Sequence, residues 1–213
     1  MKSLVLNSLF SVLLILSCTT SRYADMNFNH VKMTDNYYKM IFPDTVKSVK
    51  FKSEINIFKN YLTGLLIVKK EQDSSLHTIL LTELGIKLFD ININSSTYNI
   101  NYAIEQINRK DLFDLISCDI RLIFINHLKS HYIESYKDIK SEFMILRAFE
   151  NQVYNYYYFD TNGYILKKIE SASGKNPDIE ININYSIDRL PETLNIRHND
   201  YDIDLMLEVL YDD

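Results

Sequence analysis

IEININYSID, residues 179–188, sets Ile179, Ile181, Ile183, Tyr185 and Ile187 at alternate positions against Glu180, Asn182, Asn184, Ser186 and Asp188. Successive side chains of an extended chain point to opposite faces, so a period of two sends every apolar residue of this stretch one way and every polar residue the other. The result is a strand with one buried and one wet face. It belongs to an antiparallel sheet, because a parallel sheet covered on both sides reads as unbroken apolar runs.

The same period recurs on either side. Tyr201, Ile203, Leu205, Leu207 and Val209 alternate with Asp202, Asp204 and Glu208; Tyr98, Ile100, Tyr102 and Ile104 alternate with Thr97, Asn99 and Asn101. Short turn signals separate such stretches: Gln72 to Ser75, Leu84-Gly85, Asn94 to Ser96, and Asp160-Thr161-Asn162-Gly163. In the last of these, Asn-Gly supplies the left-handed backbone of a tight hairpin. A meander of neighbouring strands follows. Tyr154, Tyr156, Tyr157 and Tyr158 read as a strand with rings on both faces, one set in the core and the other shielding it, or else as an aromatic platform for sugars. Lys47, Lys50 and Lys52 fall on the solvated face of a strand.

One stretch breaks the period. In RKDLFDLISCDIRLIFINHL, residues 109–128, Leu112, Leu115, Ile116, Leu122 and Ile123 recur at helical spacing with Asp111, Asp114 and Arg121 opposite. The stretch is one helix or two short ones. Asp119 lies on the apolar face of a continuous helix, where a charge without a partner costs several kcal/mol. The preferred expectation is a break there, with Asp119 capping a second helix; a functional buried acid is the alternative.

At 213 residues, 46% hydrophobic and 24% charged, the chain has enough apolar material for one globular domain. A net charge of −5 with no clustered basic footprint argues against nucleic acid as a partner. His127, His131 and Glu134 have a spacing that could put three ligands on one helix face, but no second cluster closes a metal site, and a solvated helix end is the alternative. Gly64, Gly85, Gly163 and Gly174 are too scattered for a phosphate-cradling loop, and no Gly-x-Ser-x-Gly elbow occurs. Neither a cofactor nor a metal nor a catalytic residue is expected, and the protein is not expected to be an enzyme.

The N-terminus carries a different message. Met1-Lys2 is followed by an apolar run from Leu4 to Leu16 and a small residue, Ser17, before Cys18. The run is about 13 residues, against roughly 20 for a membrane-spanning helix, which makes it a cleavable signal segment over residues 1–17. Ile15-Leu16-Ser17-Cys18 resembles the lipobox of bacterial lipoproteins, and that resemblance implies acylation of Cys18 and anchoring in a membrane. Removal of Lys2 makes the mature chain more negative still. With Cys18 consumed by lipid, Cys118 is left as a lone buried thiol. Residues 18–44 are expected to be the lipidated cysteine and a polar tether, and residues 45–213 the folded domain. No acidic run of the kind that tags Bacteroidetes lipoproteins for surface export follows Cys18. The expected location is therefore the cell envelope, at the outer membrane facing the periplasm.

Three segments carry a further likeness: Tyr61-Leu62-Thr63-Gly64-Leu65-Leu66-Ile67-Val68-Lys69; Tyr158-Phe159-Asp160 through Gly163-Tyr164-Ile165-Leu166; and Leu190-Pro191-Glu192 followed by Ile196 and Tyr201 to Leu207. Their order around a helical insertion resembles the LolA/LolB-like lipoprotein carriers over residues 45 to 210. Thr82 to Asp90 is similar to a segment of uncharacterised Bacteroidetes lipoproteins. The resemblance implies a mainly β, α+β fold, an antiparallel half-barrel of about 10–11 strands curled around one or two inserted helices. It also implies an apolar hollow that shelters acyl chains of a lipid or lipoprotein, lined by Tyr102, Ile104, Ile181, Ile183, Leu205 and Leu207, in a monomer. The alternative for these residues is plain core packing, and for the protein an envelope interaction module with a filled interior.

Overall fold

The computed structural model describes residues 21–24, 26–30, 39–43, 45–57, 60–125, 128, 133–137, 143–150, 152–162 and 164–211. Among them are β1 (Asn29–His30), β2 (Ser48–Ile57), β3 (Asn60–Lys70), β4 (Leu76–Leu81), β5 (Lys87–Ile93), β6 (Tyr98–Ala103), β7 (Ile133–Lys137), β8 (Phe143–Glu150), β9 (Val153–Asp160), β10 (Leu166–Ala172), β11 (Ile179–Tyr185), β12 (Pro191–His198) and β13 (Ile203–Leu210). One helix, α1 (Lys110–Phe124), follows a 3-10 turn at Glu105–Ile107. The strands form a single sheet in the order β1-β7-β8-β9-β10-β11-β12-β13-β2-β3-β4-β5-β6. From β2 to β6 and from β7 to β13, neighbours in chain order pair antiparallel, as the meander reading requires; β1 pairs with β7, and β13 closes back onto β2. Thirteen strands stand where ten or eleven were expected, the added ones including the two-residue β1.

The sheet stays open at β6 and β1, and α1 is the link that carries the chain from one margin to the other. Alternation builds the inner face. Val49, Phe51, Ser53 and Ile55 of β2 are buried while Lys52 and Asn56 are exposed; Ile179, Ile181 and Ile183 of β11 and Ile203, Leu205, Leu207 and Val209 of β13 repeat the pattern. Leu112, Phe113, Ile116, Ile120 and Ile123 of α1 join the same core. Each such side chain contributes about 1.5–3 kcal/mol when fully removed from water. Gly64 marks a close approach, since a Cβ there would lie 2.0 Å from the Leu81 carbonyl oxygen where β3 meets the end of β4.

Three expectations are corrected. The helix has no break: α1 runs through Asp119 uninterrupted, and the carboxylate is buried against a partner from another strand. Tyr102 does not share a face with Ile100. Phe89 pairs with Ala103, Asp90 with Tyr102 and Ile91 with Ile100, so Asn101 is an extra residue, and this bulge turns Tyr102 outward, 47% exposed. Ile187 and Tyr201 leave their strands early and sit in turns, Ile187 fully exposed.

A second cluster lies on the outer face. Tyr156 and Tyr158 of β9 and Ile145 of β8 point away from the main core, yet they are buried, packed with Tyr23, Met26 and Phe28 of the segment expected to belong to the tether. Tyr23 stacks on Tyr156 with ring centroids 4.0 Å apart. Phe28 lies under the Arg147 guanidinium at 4.0 Å, and Asn29 and His30 pair with Ser135 and Glu134 of β7. The outer tyrosines are therefore the floor of a docked N-terminal segment rather than a solvent-facing shield.

Candidate functional site

The concave inner face carries the main hydrophobic cluster, and it is covered by two pieces of chain. α1 supplies one cover. The other is the lead-in to β2, in which Ile41 is buried and Met40, Phe42 and Val46 pack onto the core. The two covers meet where the rings of Phe42 and Phe124 stack with centroids 5.1 Å apart, both edge-on to Phe51 of β2. A void of about 10 Å³, lined by these two rings with Val49, Val68 and Leu76, is the space left there. It is enough for about one water molecule at most. At the β5–β6 side, Phe113 meets Phe89 edge to face. Tyr98 donates its hydroxyl to Asp114 at 2.8 Å, and Arg121 donates to the Asn94 carbonyl at 2.8 Å, fastening α1 to that hairpin.

One polar pair interrupts the apolar interior. His198, at the end of β12, faces Asp119 of α1 with Nε2 3.1 Å from Oδ1, and its Nδ1 lies 3.3 Å from the Ile203 carbonyl. Both residues are almost completely buried. The second carboxylate oxygen of Asp119 has no hydrogen-bond partner among the described residues. Burial holds the Asp119 carboxyl above the usual carboxylate range, with His198 pulling the other way. Burial alone would lower the His198 imidazole; the Asp119 hydrogen bond and charge outweigh it and hold it above the ordinary histidine range. The neighbouring Cys118 is a free thiol pushed up to about 12 by burial, and so stays protonated.

The expected lining residues separate into two groups. Ile181, Ile183, Leu205 and Leu207 meet on adjacent inner strands, with Ile181 opposite Ile196, Ile183 opposite Leu194, and Leu205 and Leu207 completing the rows across β12. All four belong to the main core cluster. Ile104 is half-buried against that cluster, whereas Tyr102 stands on the outer face. Cys18, His127 and His131 lie outside the described residues. Glu134, read with the two histidines, is bound by Arg147 of β8. Three features carried no local signal: the His198 partner of Asp119, the aromatic closure by Phe42 and Phe124, and the buried Glu170. Each depends on contacts between residues far apart in the chain.

A charged cluster occupies the outer face of β4–β6. Asp90 receives Lys87 at 2.6 Å, Asn101 at 2.8 Å and His77 at 2.8 Å. Partial burial would raise its carboxyl, but those three partners win and hold it at about 2. Such a fully partnered acid has structural work and no free proton to exchange near neutral pH.

No protein-family profile matches the sequence, and no match occurs among curated proteins. Solved structures do resemble it. A LolA superfamily protein from Nitrosomonas europaea superposes with a TM-score of 0.51 at 9% identity, covering 81% of this chain and 87% of that one. An outer-membrane lipoprotein-sorting protein domain from Vibrio parahaemolyticus gives 0.47 at 7% identity, over 78% and 84%. A DUF1329 family protein from Desulfovibrio piger gives 0.46 at 9% identity, over 78% and 85%. The first of these establishes the fold: a LolA-like half-barrel.

Proposed function

We propose that this protein is an exported envelope lipoprotein, anchored by acylation of Cys18, that accepts an acyl chain of a lipid or an acylated protein on the concave face of its half-barrel without catalysing a reaction. The observation that carries this reading is the make-up of that face and its covers. Ile181, Ile183, Leu205 and Leu207 on the strands, and Ile41, Phe42, Ile120, Ile123 and Phe124 on the covers, belong to one hydrophobic cluster. An acyl chain would replace like with like, since burial of methylenes is non-directional and is worth about 0.8 kcal/mol per group. The lead-in and α1 are then displaceable covers, and the ligand binds by taking their place. The likeness to LolA-type proteins supports a carrier or receptor role, and the signal-like N-terminus supports an envelope location, at the outer membrane facing the periplasm.

A second reading has its own observation. The void of about 10 Å³ where Phe42 meets Phe124 is too small for an acyl chain, which favours an interaction module whose interior is filled by its own side chains. Native mass spectrometry separates the two. The mature chain carrying Cys18→Ala, exported to a bacterial periplasm, is examined with lipid extraction, alongside Phe124→Ala, which removes one ring of the stacked closure. Co-purified acyl lipid, with higher occupancy in Phe124→Ala, is the expected result. A clean protein mass in both, persisting after incubation with envelope lipids, would establish the packed module instead.

A further inference from the structure

Ser21 and Arg22 are held at a defined place on the domain. The Arg22 backbone N–H donates to the Lys175 carbonyl at 3.1 Å, and the Ser21 hydroxyl donates to the same oxygen at 3.3 Å. Beneath them Glu170 of β10 is fully buried and gathers four groups. Arg22 and Lys168 approach one oxygen at 3.0 and 2.5 Å, while the hydroxyls of Tyr23 and Tyr158 donate to the other at 3.0 and 2.5 Å. Arg22 also reaches Glu180 at 3.7 Å. A fully buried carboxylate that meets two cations and two hydroxyl donors is a firm fastening, since losing one of them leaves the carboxylate short of the partners that offset its burial.

Cys18 precedes Ser21 by three residues. At no more than about 3.6 Å per residue, an acyl group on Cys18 starts within about 11 Å of the Ser21 Cα. We propose that the Glu170 clamp fixes how the domain stands on the lipid surface, turning the end of the half-barrel that carries the β10–β11 turn towards the headgroups. This rests on the anchoring of Cys18 proposed above, and adds which face meets the membrane.

An independent feature marks the same end. Register places Ile57, Asn60, Ile203, His198, Ile179 and Ser171 in one row across β2, β3, β13, β12, β11 and β10. Tyr61, Tyr201 and Tyr154 sit beside that row, Phe149 pairs with Tyr154, and Leu84 and Ile86 project from the β4–β5 turn on the same side. All six are between 38% and 89% exposed. Tyrosine and other amphipathic or apolar side chains lower their free energy at a headgroup boundary, where a ring meets both hydrocarbon and water. The opposite end also exposes apolar groups, Ile187 and Leu190 among them, but the clamp holds the acylated terminus away from it. β11 separates the two ends by seven residues, or about 23 Å at 3.3 Å per residue.

The test uses the full acylated lipoprotein with Cys118→Ala and one introduced thiol, either Gly174→Cys in the β10–β11 turn or Ile187→Cys at the other end of β11. A Cβ at Gly174 meets nothing within 4 Å. Each variant carries an environment-sensitive fluorophore and is reconstituted through its acyl chains into phosphatidylethanolamine–phosphatidylglycerol vesicles containing headgroup-attached quencher. The expected result is quenching several-fold stronger at position 174 than at 187. Adding Glu170→Gln and Tyr23→Ala should bring the two values together, because the domain then hangs on a longer free chain, with circular dichroism confirming that the sheet persists. Equal quenching in the unclamped and clamped proteins, or stronger quenching at 187, would overturn the orientation while leaving the anchor intact. Absence of acyl mass on Cys18, or failure to float with vesicles, would overturn the anchor itself and the orientation with it.

Discussion

Asp119 shows what one residue conceals in a sequence. Its position on the apolar face of a helix is legible, and so is the cost of leaving it there alone. Its partner, His198, is 79 residues away in the chain, and only the return of β12 beneath α1 brings the two to 3.1 Å. The expectation of a helix break was the local remedy for a problem solved by tertiary contact. Because the raised pKa of His198 means that the folded state favours the imidazolium, this group's contribution to stability is full below the ordinary histidine pKa and lost as pH rises through the folded value. The raised Asp119 carboxyl acts in the same sense, so acid leaves the pair folded and alkali strips a buried carboxylate of its cation. Thermal unfolding between pH 5 and 9 should therefore show stability falling towards the alkaline side. His198→Leu alone should cost about 3–5 kcal/mol, and Asp119→Leu with His198→Leu much less, with the alkaline slope gone. A double variant as unstable as the single one would contradict this account of the pair.

At the scale of elements, alternation was the reliable guide. β2, β11 and β13 lie where period two places them, and the turn at Leu84-Gly85 has Gly85 at a φ of 78°, a conformation few other residues accept. Periodicity failed where one residue was inserted: the bulge at Asn101 flips Tyr102 to the outer face without leaving any mark in composition. It was also silent on the lead-in and on residues 21–30. These show no regular period because, apart from the two residues of β1, their described residues are irregular segments packed on the surfaces they cover. Glycine at 64 illustrates an element-scale requirement that composition leaves unspecified. Gly64→Ala would drive a methyl group into the Leu81 carbonyl, forcing β3 and β4 apart. A loss of about 1–3 kcal/mol by denaturant titration is expected, as for other overpacked sites. An unchanged midpoint would mean that β4 gives way more easily than its pairing suggests.

For the whole molecule, strand content and the central helix were legible because each element announces itself locally. The pairing of chain neighbours was legible from the turn signals, but nothing in a period of two says that β13 returns to pair with β2. Whether the half-barrel is hollow was not legible at all: an inner face that receives an acyl chain and one that packs on its own helix require the same Ile and Leu residues. The structure places Ile181, Ile183, Leu205 and Leu207 together in a closed interior whose covers are α1 and the aromatic lead-in. If these covers yield to a ligand, an acyl chain must reach the residues beneath them, and photo-crosslinking detects that. A phospholipid bearing a diazirine near the end of one acyl chain is incubated with the mature Cys18→Ala protein, irradiated, and the adducts are mapped by peptide mass spectrometry. The expected adducts fall on inner-face residues of β11 and β13 around Ile183 and Leu205 and are competed away by unlabelled lipid. Adducts confined to outer-face residues, or none above an unfolded control, would contradict it.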